Sequence, residues 1–255
     1  MLRGLAISAA GMSIESQRLD VIAQNLANVD TPGYQRQVLT AKSFVAQLSS
    51  TLTNLVAQPV TPPVRPDSLA ITSSLSYDTS ENSLHATGNQ LDFALPAQAF
   101  FAVRQPDGSE VATRNGAFML NDQHQLVTVS TNGAEHCQVL GQGGPVTING
   151  SHWEINRQGA IVVDGKTVDQ LKIMSYGKTY PTAPVQLGNG FVNITGAQQV
   201  TNLPVSQGML NGSNVNPVSE MISMIAATRL FEANQKCVQA QDETLNHAVN
   251  DVGHV

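Results

Sequence analysis

Charge, cysteine and aromatic side chains are all scarce in this chain. Only 13% of its 255 residues are Asp, Glu, Lys or Arg, about half the usual share. Thirteen Lys and Arg against 19 Asp and Glu leave a net charge of −6. Phosphate backbones are bound by clustered cations, so nucleic acid is excluded as a partner. The two cysteines, Cys137 and Cys237, stand 100 residues apart without a CxxC spacing. That excludes a disulfide framework and a cysteine zinc site; both are expected as buried free thiols, with a single bridge between them as the alternative. No apolar run approaches the ~20 residues that cross a bilayer. Leu5–Met12, behind Arg3, is too short and too broken by Ser8 and Gly11 for a signal-peptide core, so cleavage there is not expected.

Signatures of chemistry are missing as well. There is no P-loop, GxSxG elbow, HExxH pair or EF-hand loop. His85, His124, His136, His152, His247 and His254 never pair at helical or strand spacing, so only convergence in the fold would assemble a metal site from them. Gly141-Gln142-Gly143-Gly144 runs into Pro145 and an expected strand, not into a helix N-terminus, and reads as a turn. Asp107, Asp164 and Asp169 suit turns and strand edges better than an acid–base pair. The sequence therefore calls for no catalytic residue, no cofactor and no metal.

Amides are what the chain has in excess: its 41 Asn and Gln outnumber the charged residues. Such a surface gives little repulsion between copies and many hydrogen-bonding groups, which suits self-association. Both ends read as helix. Residues 2–27 lack proline and carry two heptad series: Leu5, Met12, Leu19 and Leu26, then Ile7, Ile14 and Val21. A two-residue shift at 100° per residue places the rows on nearly opposite sides, which predicts two neighbours for one helix. Seven large apolar side chains represent roughly 10–20 kcal/mol if buried. A lone helix of this length is marginal in water, so partners are expected to order it. Asn28 is a candidate C-cap, followed by the turn Asp30-Thr31-Pro32-Gly33. After Pro217, a second proline-free stretch repeats Met224, Phe231, Val238, Leu245 and Val252 at seven-residue intervals, the seam of a coiled coil. A row of mostly small residues (Ile222, Ala226, Ala233, Cys237, Ala240, Ala248) would admit another backbone. Ser213, Asn214 or Asn216 could cap this helix, with Pro217 in its first turn.

Between the ends the pattern changes. Ala41–Val56 carries Phe44, Leu48, Leu52 and Leu55 at the spacing of a further amphipathic helix. Pro59, Pro62, Pro63 and Pro66 mark an extended connector. From about Ser83 to Val205, short apolar runs alternate with turn dipeptides such as Asp107-Gly108 and Asp164-Gly165. The expected fold is α+β: terminal helices with an inserted, mainly antiparallel β domain. Its parts are helical ends at 1–35 and 210–255, connectors at 36–82 and 200–209, and a β domain at 83–199.

Three collinear stretches then resemble one family. Asn25–Gln37 (NLANVDTPGYQRQ) is similar to the N-terminal signature of bacterial flagellar rod and hook proteins, through Asn25, Asn28, Thr31, Pro32, Gly33 and Tyr34. Gln35 departs from the usual basic residue, with Arg36 beside it. Leu210–Lys236 resembles the matching C-terminal signature through Ser213, Asn214, Val215, Asn216, Arg229, Phe231 and Glu232. Leu91–Phe118 resembles the family's β domain, including its T-R-x-G-x-[FL] stretch. The length suits a rod subunit better than a hook subunit. The proline-rich Gln58–Asp67, and the form Arg229-Leu230-Phe231-Glu232, favour the proximal over the distal rod type. The resemblance implies a structural subunit, exported without signal cleavage by the flagellar type III apparatus into the periplasmic basal body. There the terminal helices would pair as a coiled coil and polymerise with further copies and other rod and hook proteins into a torque-bearing tube. A distal-rod or hook-related subunit is the near alternative, and a secreted β-domain hydrolase or carbohydrate-binding protein the distant one. The apolar heptad residues of both helices are the expected subunit interface.

Overall fold

The structure, a computed structural model, describes residues 2–43, 71–80, 82–96, 98–129, 136–150, 152–176, 186–188, 190–194, 196–201 and 203–252. Among these the chain forms two compact units. One contains Met1–Ala27, Gln37–Ser76 and Asn216–Val255; the other contains Asn28–Arg36 and Tyr77–Val215. The fold is α+β, with helices at the two ends of the chain and antiparallel strands between them.

The first unit holds helix α1 (Leu2–Ala27), helix α2 (Pro217–Val252) and a strand, Gln37–Ser43, paired with Ile71–Tyr77. Asn216 caps α2: its Oδ1 accepts from the Ser219 amide at 3.1 Å and its carbonyl from the Glu220 amide at 3.0 Å. Pro217 occupies the first helical position, where a missing N–H costs nothing. The helix expected over Ala41–Val56 does not begin at its expected start, because Ala41–Ser43 completes the strand. Ser76 and Ser74 hydroxyls brace that pairing on the Val38 and Thr40 carbonyls. The rest of that stretch and the prolines from Pro59 to Pro66 lie outside the described residues.

The second unit is built on a nine-stranded sheet. Its central strand, Ala99–Arg104, pairs antiparallel with Glu110–Thr113, Gln138–Val139 and Ile173–Ser175. A three-stranded meander (Trp153–Ile155, Ala160–Val163, Lys166–Gln170) turns at Asp164-Gly165, both residues in left-handed backbone, the two-residue hairpin signal read from the sequence. Phe93, Phe101, Phe118, Leu126, Val139, Ile148, Ile161 and Ile173 are shielded almost completely from water and form the core. Phe101 meets Phe118 edge to face, with ring centres 5.1 Å apart. Gly141–Gly144 is a turn, closed by the Gly141 amide on the Gly144 carbonyl. Residues 200–209, expected as connector, include Ser206–Gln207 paired with Phe93–Ala94, and Met209–Asn211 pairs with Leu84–Ala86. These two- and three-residue strands lack apolar alternation, so their register comes from backbone and asparagine contacts.

Residues 28–35, expected with the helical end, belong with Arg36 to this second unit. The Gly33 amide donates to the Asn211 carbonyl at 2.7 Å, and Asn82 Nδ2 donates to the Tyr34 carbonyl at 3.1 Å. The T-R-x-G-x-[FL] stretch has a concrete reason for its glycine. Gly116 accepts from the Phe93 amide, and a Cβ there would fall 1.7 Å from the Phe93 carbonyl oxygen. Gly116→Ala is expected to cost at least about 2 kcal/mol, because backbone would have to move. Urea unfolding followed through Trp153, the single tryptophan, measures it; an unchanged midpoint would contradict it.

Candidate assembly site

The helical unit carries the feature in which the two chain ends meet. Helices α1 and α2 pack antiparallel along their lengths. The direction is fixed by three rungs: Gly4 lies against Gln241, Gly11 against Asn234, and Asn25 against Glu220. On α2 the shielded positions follow a three-four alternation. Met224, Phe231, Val238 and Leu245, the row read from the sequence, are half-buried. Val252 ends the helix. Between them runs a second row, Glu220, Ala227, Asn234 and Gln241, in which Glu220 and Ala227 are 1% exposed. Three of these four are polar. Hydrophobic periodicity therefore passes over them, although their seven-residue spacing was present in the sequence.

On α1 the centre of the contact is likewise not an apolar row. It is the line Gly4, Ser8, Gly11, Glu15, Ile22 and Asn25, with Ser8, Ile22 and Asn25 buried. Leu5, Met12, Leu19 and Leu26 flank it on one side, half-buried; Ile14 and Val21 flank it on the other, and Ile7 is 54% exposed. The two apolar rows are thus the margins of one seam and do not define two separate faces. One neighbour, α2 of the same chain, covers the inner edge of both. Small residues along the centre make this possible. A Cβ on Gly4 would sit 2.7 Å from Gln241 Nε2, and one on Gly11 would sit 3.0 Å from Asn234 Nδ2. The amides of α2 fill the space that α1 leaves by lacking side chains.

The outer row of mostly small residues on α2 (Ile222, Ala226, Ala233, Cys237, Ala240) faces away from this seam and is exposed. Cys237 is accordingly an exposed thiol and not the buried one expected, while Cys137 is buried in the β unit. Cys237 stands on the solvent side of α2 because the close approach relies on glycines of α1.

The asparagines of the two signatures work as backbone substitutes. Asn25, 1% exposed, accepts from the Gln37 amide at 2.8 Å and donates to the Gln37 carbonyl at 2.9 Å, a strand-like rung made by a side chain. The same Nδ2 donates to Glu220 Oε2 at 3.4 Å. In the β unit, Asn28 accepts from both the amide and the hydroxyl of Thr31, so the chain turns there, and Gly33 follows at φ +71°. Tyr34 is buried, and its carbonyl accepts from the Asn214 amide. Asn214 Oδ1 accepts from the Arg36 amide at 2.6 Å, and its Nδ2 donates to the Asp78 carbonyl at 2.9 Å. Asn214 therefore ties the segment at Tyr34–Arg36 to Asp78, where Ser213 or Asn214 had been candidate caps; Ser213 accepts from the amide of the buried Val215. Arg229 and Glu232 are exposed on α2, and Pro32 is half-buried in the turn. Asn82 and Asn211, absent from the expected set, belong with these residues: Asn211 brackets Leu95 through its amide and carbonyl at 2.8 and 2.9 Å.

Among its described residues the β unit holds an open polar cleft of about 480 Å³, lined by Arg104, Glu110, Lys172, Gln199 and the Gly141–Gly144 turn. Lys172 at 2.8 Å, with Arg104 at 3.2 Å, holds the Glu110 carboxyl below its usual range. Ser109 does the same for Asp107 through its hydroxyl and amide. Burial pushes Tyr176 up to about 12; its hydroxyl donates to the Asn193 carbonyl. The cleft's cations are thus committed to a carboxylate, and no nucleophile lies beside a base among its lining residues. Among the described residues no three His, Cys, Asp or Glu gather in metal-binding geometry, and no helix is long and apolar enough to cross a membrane.

Three family models match successive parts of the chain, leaving residues 36–93 outside them. "Flagella basal body rod protein" matches residues 5–35, "Flagellar hook protein FlgE/F/G D1 domain" matches 94–208, and "Flagellar basal body rod FlgEFG protein C-terminal" matches 206–251. The flagellar basal-body rod protein FlgG of Agrobacterium fabrum is 31% identical over 255 residues, covering 95% of this chain and 96% of that protein. The chain belongs to the flagellar basal-body rod family. FlgF of Escherichia coli is 29% identical, with 95% of this chain and 94% of that protein covered. FlgG of Borreliella burgdorferi is 25% identical, with 98% of each covered. Rod proteins of both names thus resemble the chain to a similar degree.

The rod-family asparagine at position 25 is expected to be the most sensitive residue of the seam. Asn25→Leu strips the Gln37 backbone of both side-chain bonds, at an expected cost of about 2–4 kcal/mol. Asn25→Asp should cost a similar amount, since it sets a second carboxylate against Glu220 and removes the Nδ2 donor. Chemical denaturation followed by circular dichroism at 222 nm checks this. A loss below about 0.5 kcal/mol for both would contradict the assignment.

Proposed function

We propose that this chain is a structural subunit of the flagellar basal-body rod, polymerising through α1 and α2 into a hollow shaft that transmits torque. The observation that carries this reading is the antiparallel seam between the chain ends, flanked by apolar rows that one chain only half buries. Leu5, Ile7, Met12, Ile14, Leu19, Val21 and Leu26 on α1, with Met224, Phe231, Val238, Leu245 and Val252 on α2, are the residues that neighbouring subunits cover. Contacts joining unlike surfaces do not close on themselves and generate a helical tube. The partners are further copies and other rod and hook axial proteins. The location is the periplasmic part of the basal body, reached through the flagellar type III apparatus without signal cleavage. The role is mechanical and not enzymatic, in keeping with the family and with a cleft whose two cations both pair with Glu110.

Within the family we favour the proximal rod type, from the proline-rich Gln58–Asp67 and from Arg229-Leu230-Phe231-Glu232. A hydrolase or carbohydrate-binding reading has no observation in its favour.

Leu19→Asp and Phe231→Asp each bury a charge in the seam or its margin and are expected to abolish rod assembly and swimming. Deleting residues 2–27 should do the same. Motility assays, with immunoblots of isolated basal bodies, test it; wild-type swimming and normal incorporation in these variants would contradict it.

A further inference from the structure

Five Asn-Gly steps stand in the sequence, at Asn115, Asn132, Asn149, Asn189 and Asn211. In such a step no side chain shields the amide nitrogen after the asparagine, which can therefore reach the asparagine's own side-chain carbon. Three of the five, at Asn115, Asn149 and Asn211, lie among the described residues, and the fold treats them differently. We propose that Asn149-Gly150 is a self-modification site, where the chain deamidates to aspartate and isoaspartate without an enzyme. The fold protects Asn115-Gly116 and Asn211-Gly212 from the same reaction. The proposal stands independently of the rod-subunit reading.

The reaction consumes one water and releases one ammonia. The Gly150 nitrogen attacks Cγ of Asn149, a new C–N bond forms, and the Cγ–Nδ2 bond breaks as ammonia leaves with the proton from Gly150. Water then opens the five-membered imide at either carbonyl carbon. Opening at Cγ restores the peptide bond and leaves aspartate. Opening at the main-chain carbon leaves isoaspartate, with the backbone routed through the former side chain. No electron is transferred. Ring closure within one chain is fast only where the two reacting groups are free to meet, so the step needs an unbound nucleophile, a mobile side chain and access to water.

Asn211 lacks all three. It is 3% exposed, its side chain is held at both ends by Leu95, and the Gly212 amide donates to the Ser83 carbonyl at 2.7 Å. Asn115 is restrained too: its Oδ1 accepts from the Ala117 amide at 3.0 Å, and Gly116 is buried against the Phe93 backbone. Asn149 meets every condition. Both it and Gly150 are exposed, and neither its side chain nor the Gly150 amide is hydrogen-bonded. The chain is fastened on either side of this corner, by the Ile148 amide on the His124 carbonyl at 2.8 Å and by the Asp164 amide on the His152 carbonyl at 2.9 Å. The corner itself is loose. Its glycine is nonetheless required, because a Cβ on Gly150 would fall 2.3 Å from Cγ1 of the buried Val163. A bulkier residue that would slow ring closure is thus excluded by packing. The product sets a new carboxylate beside Asp164, whose Oδ2 lies 3.0 Å from that same Cβ position.

The test is peptide mapping of full-length protein aged in mildly alkaline buffer, folded and, in parallel, unfolded in guanidinium. The unfolded chain gives each step its intrinsic rate, so the folded-to-unfolded ratio reads protection by the fold. Cleavage at glutamates leaves Asn149 as the single Asn-Gly step in residues 136–154. Tandem mass spectrometry, with aspartate and isoaspartate forms separated by chromatography, assigns the others. The ratio for Asn149 is expected to exceed those for Asn115 and Asn211 by at least about tenfold. A ratio for Asn149 equal to either of theirs would overturn the proposal. Asn149→Gln, shown to be folded by circular dichroism and Trp153 fluorescence, should leave residues 136–154 unconverted. Conversion of that peptide at the wild-type rate in this variant would also overturn it.

Discussion

The approach of the α1 and α2 backbones is the constraint from which the helical unit follows. Gln241 and Asn234 can reach the surface of α1 only because Gly4 and Gly11 present no side chain there. Where the rung is Asn25 against Glu220, both groups are buried and the amide is also held by Gln37. Polar layers of this kind contribute less than leucine would, since each buried amide or carboxylate must recover its lost hydration. Their gain is in specificity. Slipping one helix by a heptad would leave only one amide opposite a glycine and would part Asn25 from Glu220, so the three layers together select one register among several that the apolar rows alone would allow.

A parallel logic operates in the β unit, where asparagine takes the place that hydrophobic pattern takes elsewhere. Asn82, Asn211 and Asn214 each connect segments far apart in sequence by offering a donor and an acceptor from one short side chain. The strands they organise are two or three residues long and could not hold their register by ladder bonds alone. This gives the excess of amides a structural use beyond solvation. Exposed amides add little charge, and buried ones replace missing backbone partners.

The helices, the antiparallel β domain and the cap at Asn216 with Pro217 were legible from the chain, because proline, turn dipeptides and heptad spacing act locally. So was the Met224, Phe231, Val238 and Leu245 row. The centre of the seam was not. Ser8, Gly11, Glu15, Asn234 and Gln241 read as surface by residue type, and only the partner helix turns them inward. The two α1 rows suggested two neighbours because the angle between them was measured without knowing that small residues lie in the middle. The strand at Ala41–Ser43 was masked by the Phe44 and Leu48 periodicity that follows it. The connector at 200–209 hid short strands whose pairing depends on residues more than 100 positions away. Tertiary context decided each of these cases, not propensity.

The register of the helical hairpin is most directly measured by intrachain disulfide formation in full-length protein lacking the exposed thiol, Cys237→Ser. The pair Gly11→Cys with Asn234→Cys should oxidise readily within one chain. Pairs shifted by one heptad, Gly11→Cys with Ala227→Cys or with Gln241→Cys, should remain reduced under the same conditions. Equal oxidation of all three pairs, or none in the first, would contradict a hairpin fixed by amides seated on glycines.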